Sequence, residues 1–316
     1  MTGAGVREAA RTLAGVALRT PLIDAPFLAA VTGHPVRLKA EFQQPIGAFK
    51  LRGAMTAAAR LAPADRARGL VTSSSGNHGL AIAWAGKHFG VRAVIVMPEN
   101  APAVKVEGIR RLGGEPVFAG KARSPEQMAR AERFAREEGL VLIPPYDHPD
   151  VIDGQGTVGL EIAEDWPDAT DIVAPVSGGG LLSGTCLGAH AVRPALRVWG
   201  AEPAGAAKLS AALAAGRPTA VAQVDTICDG LRTPTVGELT WPIIRDQVAG
   251  VVQVTDAEVV DAMRAVKREL GFTVEPSGAV TVAALLTGKL RPAGPTAAIV
   301  TGSNVDAATF DRLVAA

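Results

Sequence analysis

A lysine set among apolar neighbours at the entrance to a helical pattern is the first feature of this chain able to carry covalent chemistry. In Gln43-Gln44-Pro45-Ile46-Gly47-Ala48-Phe49-Lys50-Leu51-Arg52-Gly53-Ala54, Lys50 is bracketed by Ala48, Phe49 and Leu51. An apolar collar strips water from an ammonium, lowers its pKa and leaves an amine able to form a Schiff base with a carbonyl. The same collar also suits a lysine whose stem merely crosses apolar surface, so the rest of the chain must supply the amine with a partner.

Two loops are candidates. Val71-Thr72-Ser73-Ser74-Ser75-Gly76-Asn77-His78-Gly79 follows a strand pattern and opens a helix pattern. Its hydroxyls, amide and free backbone N–H groups converge at a helix N-terminus, which is a place for an anion such as a carboxylate. Three consecutive serines exceed what capping a helix requires. Ser177-Gly178-Gly179-Gly180-Leu181-Leu182-Ser183-Gly184 is a second strand-to-helix loop. Its glycines let the backbone approach a ligand and aim N–H groups at it, and phosphate is the natural guest. No Gly-Lys-Ser/Thr follows, and the glycines at 178, 180 and 184 miss the dinucleotide spacing by one. An NAD-binding oxidoreductase is still an alternative, with Glu202 ending the next strand about where an acid would hold a ribose, but such an enzyme has no use for Lys50.

Composition narrows the partner to a small molecule. The 316 residues carry 32 lysines and arginines against 31 acidic groups, a net charge of +1. Without a long basic cluster, neither nucleic acid nor a membrane surface is expected. The apolar runs are far too short for a membrane span, and the first thirty residues lack a basic start followed by an apolar core, so a soluble cytoplasmic protein is expected. The two cysteines, Cys186 and Cys228, lie outside any CxxC pattern and suit free thiols in a reducing compartment. Five scattered histidines without zinc spacing predict no metal site.

The elements that must position these residues read as alternating strands and helices. Val36 to Glu41 alternates like a strand, then the lysine stretch leads into a helix from Arg52 to Leu61. Strand-turn-helix units follow: Leu70 to Thr72 with His78 to Phe89, Ala93 to Met97 with Ala103 to Leu112, and Pro116 to Phe118 with Pro125 to Glu138. After Leu140 to Ile143, the rigid run Pro144 to Asp150 marks a passage between domains, and the alternation restarts with a helix from Gly156 to Trp166 and a strand from Asp171 to Val176. Thr255-Asp256-Ala257-Glu258 has capping-box spacing and opens a helix to Leu270; Pro276 starts another, and Ala297 to Val300 is a last buried strand. This order predicts an α/β fold with parallel sheets covered by helices on both faces.

Taken in order, Gly47-Ala48-Phe49-Lys50-Leu51-Arg52-Gly53, Ser74-Ser75-Gly76-Asn77-His78-Gly79, Ser177-Gly178-Gly179-Gly180-Leu181 and Thr301-Gly302-Ser303-Asn304-Val305-Asp306 resemble the pyridoxal-phosphate-dependent threonine/serine dehydratase and serine racemase family. Asp150 to Thr157, Asp229-Gly230-Leu231-Arg232-Thr233 and Val274-Glu275-Pro276-Ser277-Gly278 support the resemblance, which covers almost the whole chain. It implies the two-domain, three-layer parallel-sheet fold of the tryptophan synthase β chain (fold type II). Residues 1–50 and 146–316 would form a large cofactor-binding domain and 51–145 a small domain with the substrate loop, in a homodimer.

The resemblance implies that Lys50 holds pyridoxal 5'-phosphate through a Schiff base and later removes the substrate α-proton. Phe49 would pack against the cofactor ring and Asn77 would bond its 3-oxygen. The N–H groups of Gly178, Gly179, Gly180 and Leu181 would hold the phosphate, and Thr301 would meet the pyridine nitrogen. Ser74, Ser75, Asn77 and His78 would bind the substrate carboxylate, with His78 equally suited to packing the loop. The implied reaction is loss of the β-hydroxyl and amino group from L-threonine or L-serine. Ser75 matches the residue that in racemases exchanges a proton opposite the lysine, so racemisation is the second activity implied; a lyase acting on 3-hydroxyaspartate or another β-hydroxy amino acid would share every motif, its selecting side chains expected around Arg123 or Thr235 to Trp241. One departure stands out: members that bind a divalent cation carry a Glu followed six residues later by Asp, whereas here Glu202 is followed by Lys208. The expectation is that the Lys208 ammonium stands in for the metal beside Glu202, the plain alternative being a surface lysine.

Overall fold

The computed structural model describes residues 1–74, 76–101, 103–121 and 125–315. Among the described residues ten strands form two sheets. β1 (Leu22–Asp24), β2 (Val36–Ala40), β7 (Asp171–Pro175), β8 (Arg197–Pro203), β9 (Val248–Val254) and β10 (Thr296–Val300) build a six-stranded sheet in the order β1-β2-β10-β7-β8-β9. β3 (Leu70–Ser73), β4 (Ala93–Met97), β5 (Glu115–Phe118) and β6 (Val141–Leu142) build a four-stranded sheet in the order β5-β4-β3-β6. Every pairing is parallel except β1 with β2. The strands β4, β7 and β10 are buried along their whole length, and β4, Ala93-Val94-Ile95-Val96-Met97, is apolar throughout, because helices cover both faces. The antiparallel edge strand β1 and the strand β9 lie in stretches where no strand is expected from sequence.

This topology places the functional loops. In parallel sheets ligands collect beyond the carboxyl ends of the strands. β3 ends at Ser73 and runs into the serine loop, β7 ends at Pro175 and runs into the glycine loop, and β10 ends at Val300 just before Thr301. The three ends open onto one cavity of about 410 Å3 between the sheets.

Two local readings change. Lys50 does not precede its helix but begins it, in Lys50–Arg60. The helix expected from Gly156 starts at Pro149 and runs to Asp165, with the His148 ring accepting from the Asp150 N–H as its cap and Pro149 in the first turn. Gly154, Gly156 and Gly159 disguise it in the sequence. They are packing glycines: a Cβ on Gly156 would lie 2.7 Å from the Gly184 carbonyl, and one on Gly188 2.1 Å from the Gly156 carbonyl, so Pro149–Asp165 and Gly180–His190 approach backbone to backbone.

Candidate active site

Lys50 Nζ donates to the Pro145 carbonyl at 2.5 Å and lies 5.2 Å from the centre of the Phe49 ring. Burial pulls its pKa from the usual 10.5 down to about 8, so about a tenth of the amine is uncharged at pH 7. The helix carrying it is held by a buried charge network two residues on. The Arg52 guanidinium donates to Glu41 at 2.8 Å, to Glu161 at 2.6 Å and to the Leu18 carbonyl at 2.9 Å, while Lys39 donates to Glu161 at 2.6 Å. That network ties the lysine helix to β2 and to the helix Pro149–Asp165, leaving Lys50 little freedom to move.

Across the cavity, the Ser74 hydroxyl oxygen accepts from the N–H groups of Gly76 (3.2 Å) and Gly79 (3.1 Å) and keeps its own O–H to donate. Ser75 lies outside the described residues, as does Arg123. Asn77 opens the helix Asn77–Phe89, donates to Glu275 at 2.7 Å and accepts from Asn304 at 2.8 Å. His78 is buried, and one ring nitrogen lies 3.0 Å from the Ile143 carbonyl. A carbonyl only accepts, so that nitrogen, Nε2, carries the proton. Burial, and then the Lys50 charge, push the imidazole pKa down to about 3, so His78 is neutral at any working pH. It lines the cavity but brings no charge to it.

In the glycine loop Gly179 has φ +94°, and a Cβ on Gly178 would lie 2.2 Å from the Tyr146 ring. Only glycine fits there. The Gly178 carbonyl is occupied by Gly237 N–H and the Thr240 hydroxyl, whereas the N–H groups of Gly178, Gly179, Gly180 and Leu181 have no protein acceptor among the described residues. Thr301 is buried at the cavity wall, its hydroxyl 3.4 Å from the Ser277 carbonyl. The Phe49 N–H donates to the Thr301 carbonyl at 3.1 Å, which joins the lysine stretch to the end of β10.

The family model for pyridoxal-phosphate dependent enzymes matches residues 13–302. The chain belongs to this family. It is 38% identical over 310 residues to an L-threonine ammonia-lyase of Thermotoga maritima, covering 98% of this chain and 77% of that one. It is 39% identical over 311 residues to an L-threo-3-hydroxyaspartate ammonia-lyase of a Pseudomonas species, covering 98% and 97%. The structure of maize serine racemase superposes with a TM-score of 0.94 at 39% identity, over 98% of this chain and 95% of that one. The fold is that of the type II pyridoxal-phosphate enzymes.

Pyridoxal 5'-phosphate is accordingly the cofactor, and the cavity suits it. A row of acceptor-free N–H groups at the start of a helix matches a phosphate, a desolvated amine matches an aldehyde, and a hydroxyl at Thr301 matches a ring nitrogen. The dinucleotide alternative fails on Glu202. Its carboxylate is buried and accepts from the Leu209 N–H (2.8 Å), the Ser210 N–H (2.8 Å) and the Ser210 hydroxyl (2.7 Å), which leaves it no access to a ribose.

Lys208 is not on the surface. It is fully buried, and its Nζ donates to the carbonyls of Ala206 (2.8 Å) and Leu231 (2.7 Å) without an ion pair to Glu202. Burial lowers its pKa to about 8 against the pull of Glu202. Among the described residues no group of three or more His, Cys, Asp or Glu gathers to hold a metal, and no helix is long and apolar enough to cross a membrane.

Several lining residues escape a sequence reading. Tyr146 packs on the glycine loop, Lys105 pairs with Asp229 across the cavity, and Arg232 and Glu275 complete the wall. Burial, with the charge of Asp229 behind it, pushes the Glu275 carboxyl up to about 7. The signal was present: Asp229, Arg232 and Glu275 lie in the Asp-Gly-Leu-Arg-Thr and Val-Glu-Pro-Ser-Gly stretches that carry the resemblance, but nothing in the sequence says that they face Lys50.

Proposed function

We propose that this protein is a pyridoxal-phosphate-dependent ammonia-lyase that converts L-threonine or L-serine into a 2-oxo acid and ammonia. The reading rests on one observation: a desolvated Lys50 amine shares a cavity with an N–H cradle that has no protein acceptor among the described residues and with the hydroxyl-rich start of a helix. The N–H groups of Gly178, Gly179, Gly180 and Leu181 hold the cofactor phosphate, Phe49 packs on its ring, and the remaining Asn77 N–H serves its 3-oxygen. Bound pyridoxal phosphate supplies an electron sink for the charge left at the substrate α-carbon. Ser74, Ser75 and the N-terminus around Asn77 and His78 orient the substrate carboxylate, Ser74 by its free O–H and His78 by packing the loop as a neutral ring. Lys50 Nζ takes the α-proton, and burial keeps enough of it unprotonated to do so. Thr301 meets the ring nitrogen with a neutral hydroxyl, which withdraws fewer electrons than an acid and favours prompt loss of the β-hydroxyl over transamination.

In this reading residues 51–145 are a small domain carrying the serine loop, 1–50 with 146–316 the large one, and the protein works as a cytoplasmic homodimer. The buried free thiols of Cys186 and Cys228 accord with a reducing compartment. Racemisation of serine is the second reading, favoured by the sequence match of Ser75 to the residue that exchanges a proton in racemases and by the likeness to maize serine racemase. The test is the visible spectrum of the purified protein before and after L-serine, L-threonine and L-threo-3-hydroxyaspartate, followed by assays of 2-oxo acid and D-serine. Oxo acid in excess supports the lyase; D-serine in excess replaces it with the racemase; no spectral change with any amino acid overturns both.

A further inference from the structure

We propose that Arg232 forms a subsite for a second carboxylate, so that the preferred substrate is a β-hydroxy amino acid with an acidic side chain, 3-hydroxyaspartate, rather than serine or threonine. This keeps the lyase chemistry proposed above, on which it rests for the reaction though not for the binding site, and puts 3-hydroxyaspartate in place of serine or threonine as the preferred substrate.

The cavity is lined by three cations, Lys50, Lys105 and Arg232, and by two carboxylates, Asp229 and Glu275. Lys105 is already paired with Asp229. Lys50 belongs to the cofactor. Glu275 shares its carboxylate with Asn77 and, buried, holds its proton up to about 7. Arg232 is therefore the lining cation left for a substrate: among the described residues no carboxylate lies within ion-pair distance of it.

Its single hydrogen bond among the described residues is informative. Arg232 Nε donates to the Thr226 carbonyl at 2.6 Å, which fixes the guanidinium plane and leaves both terminal nitrogens without a protein acceptor among the described residues. Thr226 is itself pinned by a bond of its hydroxyl to Asp256 at 2.5 Å. On either side of Arg232, the Gly230 N–H donates to the Ser277 hydroxyl at 2.9 Å and the Thr233 hydroxyl meets that of Ser177 at 3.1 Å. The arginine is thus held between the glycine loop and the helix Pro276–Leu286. A planar guanidinium with two free nitrogens matches a carboxylate through paired hydrogen bonds. The substrate α-carboxylate already has the start of the helix Asn77–Phe89, so the partner for Arg232 is a carboxylate on the β-carbon. A serine or threonine would bring only a hydrogen or a methyl there and leave a half-buried charge unmatched, the situation in which polar sites discriminate most strongly. The stoichiometry is that of serine: the β-hydroxyl leaves as water, water returns on hydrolysis, and the products are a 2-oxo dicarboxylic acid and ammonia.

The test uses the holoenzyme and two amino acids with no leaving group on the β-carbon, L-aspartate and L-alanine. Their dissociation constants are measured from the cofactor's visible spectrum and by calorimetry. Aspartate is expected to bind at least about tenfold more tightly than alanine, the effect of one charge-assisted hydrogen bond. In Arg232→Gln the ratio is expected to approach one, and in Arg232→Lys, which keeps the charge but not the fork, to fall between. Equal affinities in the wild type, a comparison that needs no variant, overturn the subsite, as does an unchanged ratio in Arg232→Gln. Turnover separates the two layers. Elimination from serine and threonine with no aspartate preference sinks the subsite and leaves the lyase. A persistent aspartate preference without elimination from any hydroxy amino acid sinks the lyase and leaves the subsite.

Discussion

Replacing Arg52 by methionine removes the centre of the network behind Lys50 while keeping the length and apolar stem of the side chain. Arg52 is 1% exposed, Glu41 is fully buried and Glu161 is 8% exposed. Without the guanidinium, Glu161 retains Lys39, but among the described residues Glu41 is left with hydrogen bonds from the Thr20 hydroxyl and the Gln44 amide and with the more distant charge of Lys39. Breaking a buried ion pair by deleting one partner costs about 3–5 kcal/mol, because the other charge stays behind uncompensated. With an unfolding entropy of ~2.1 cal/mol/K per residue, a chain of this length should melt about 5–8 °C lower. The assay is thermal unfolding by circular dichroism in saturating pyridoxal phosphate. Burial alone raises the Glu41 carboxyl, and Arg52 outweighs it and holds the group below its usual range. A lowered carboxyl contributes stability above the unfolded pKa of about 4.5 and loses it as pH falls through the lower folded one, so the gap between wild type and Arg52→Met should narrow as pH falls below 4.5. The double variant Glu41→Gln/Arg52→Met should recover part of the loss. A melting point within 1 °C of wild type, or a double variant no better than Arg52→Met, would refute the reasoning.

Other predictions follow from single residues. Lys50→Ala should abolish the cofactor's imine absorbance; in the wild-type apoprotein the rate of cofactor loading should rise about tenfold per pH unit and level off near pH 8, and a rise continuing to pH 10 in stopped-flow traces contradicts a desolvated amine. Gly179→Ala forces an L-residue to φ +94° and sets a Cβ 2.7 Å from Ile244 and Thr240, a strain of about 1–2 kcal/mol before the clash, so fluorescence titration should show the dissociation constant of pyridoxal phosphate at least about tenfold higher; an unchanged constant removes the glycine loop from the site. The Lys208 ammonium, seated on two carbonyls, should make turnover indifferent to magnesium and to chelator, and activation by magnesium that a chelator abolishes shows this wrong. Glu275 keeps its proton to about 7 when folded but loses it near 4.5 when unfolded, so wild-type apoprotein should lose stability as pH rises from 4.5 to 7. Glu275→Gln should gain on it across that window and hold the gain above; parallel melting curves from pH 4.5 to 8 argue against a raised carboxyl.

Much of the site was readable because its parts are local. A lysine's collar, a run of serines and three glycines each lie within about ten consecutive residues, and the backbone geometry they require is written in those residues. The alternation of strands and helices has the same local origin, and so the α/β class and most elements were legible. Where neighbours decide, the reading stopped. The start of the helix at Pro149 was hidden because glycines look like breaks until a second backbone is seen pressed against them. Lys208 read as beside Glu202, yet its ammonium sits on two carbonyls, one of them 23 positions further along the chain. Lys39, Glu41, Arg52 and Glu161 form one network from three distant segments, and Arg232 meets the cavity of Lys50 across 182 positions. Motif chemistry is thus a property of neighbouring residues, whereas burial, pKa and the choice of substrate side chain depend on which strand ends the two sheets bring to a common cavity. That arrangement arises only when the chain has folded.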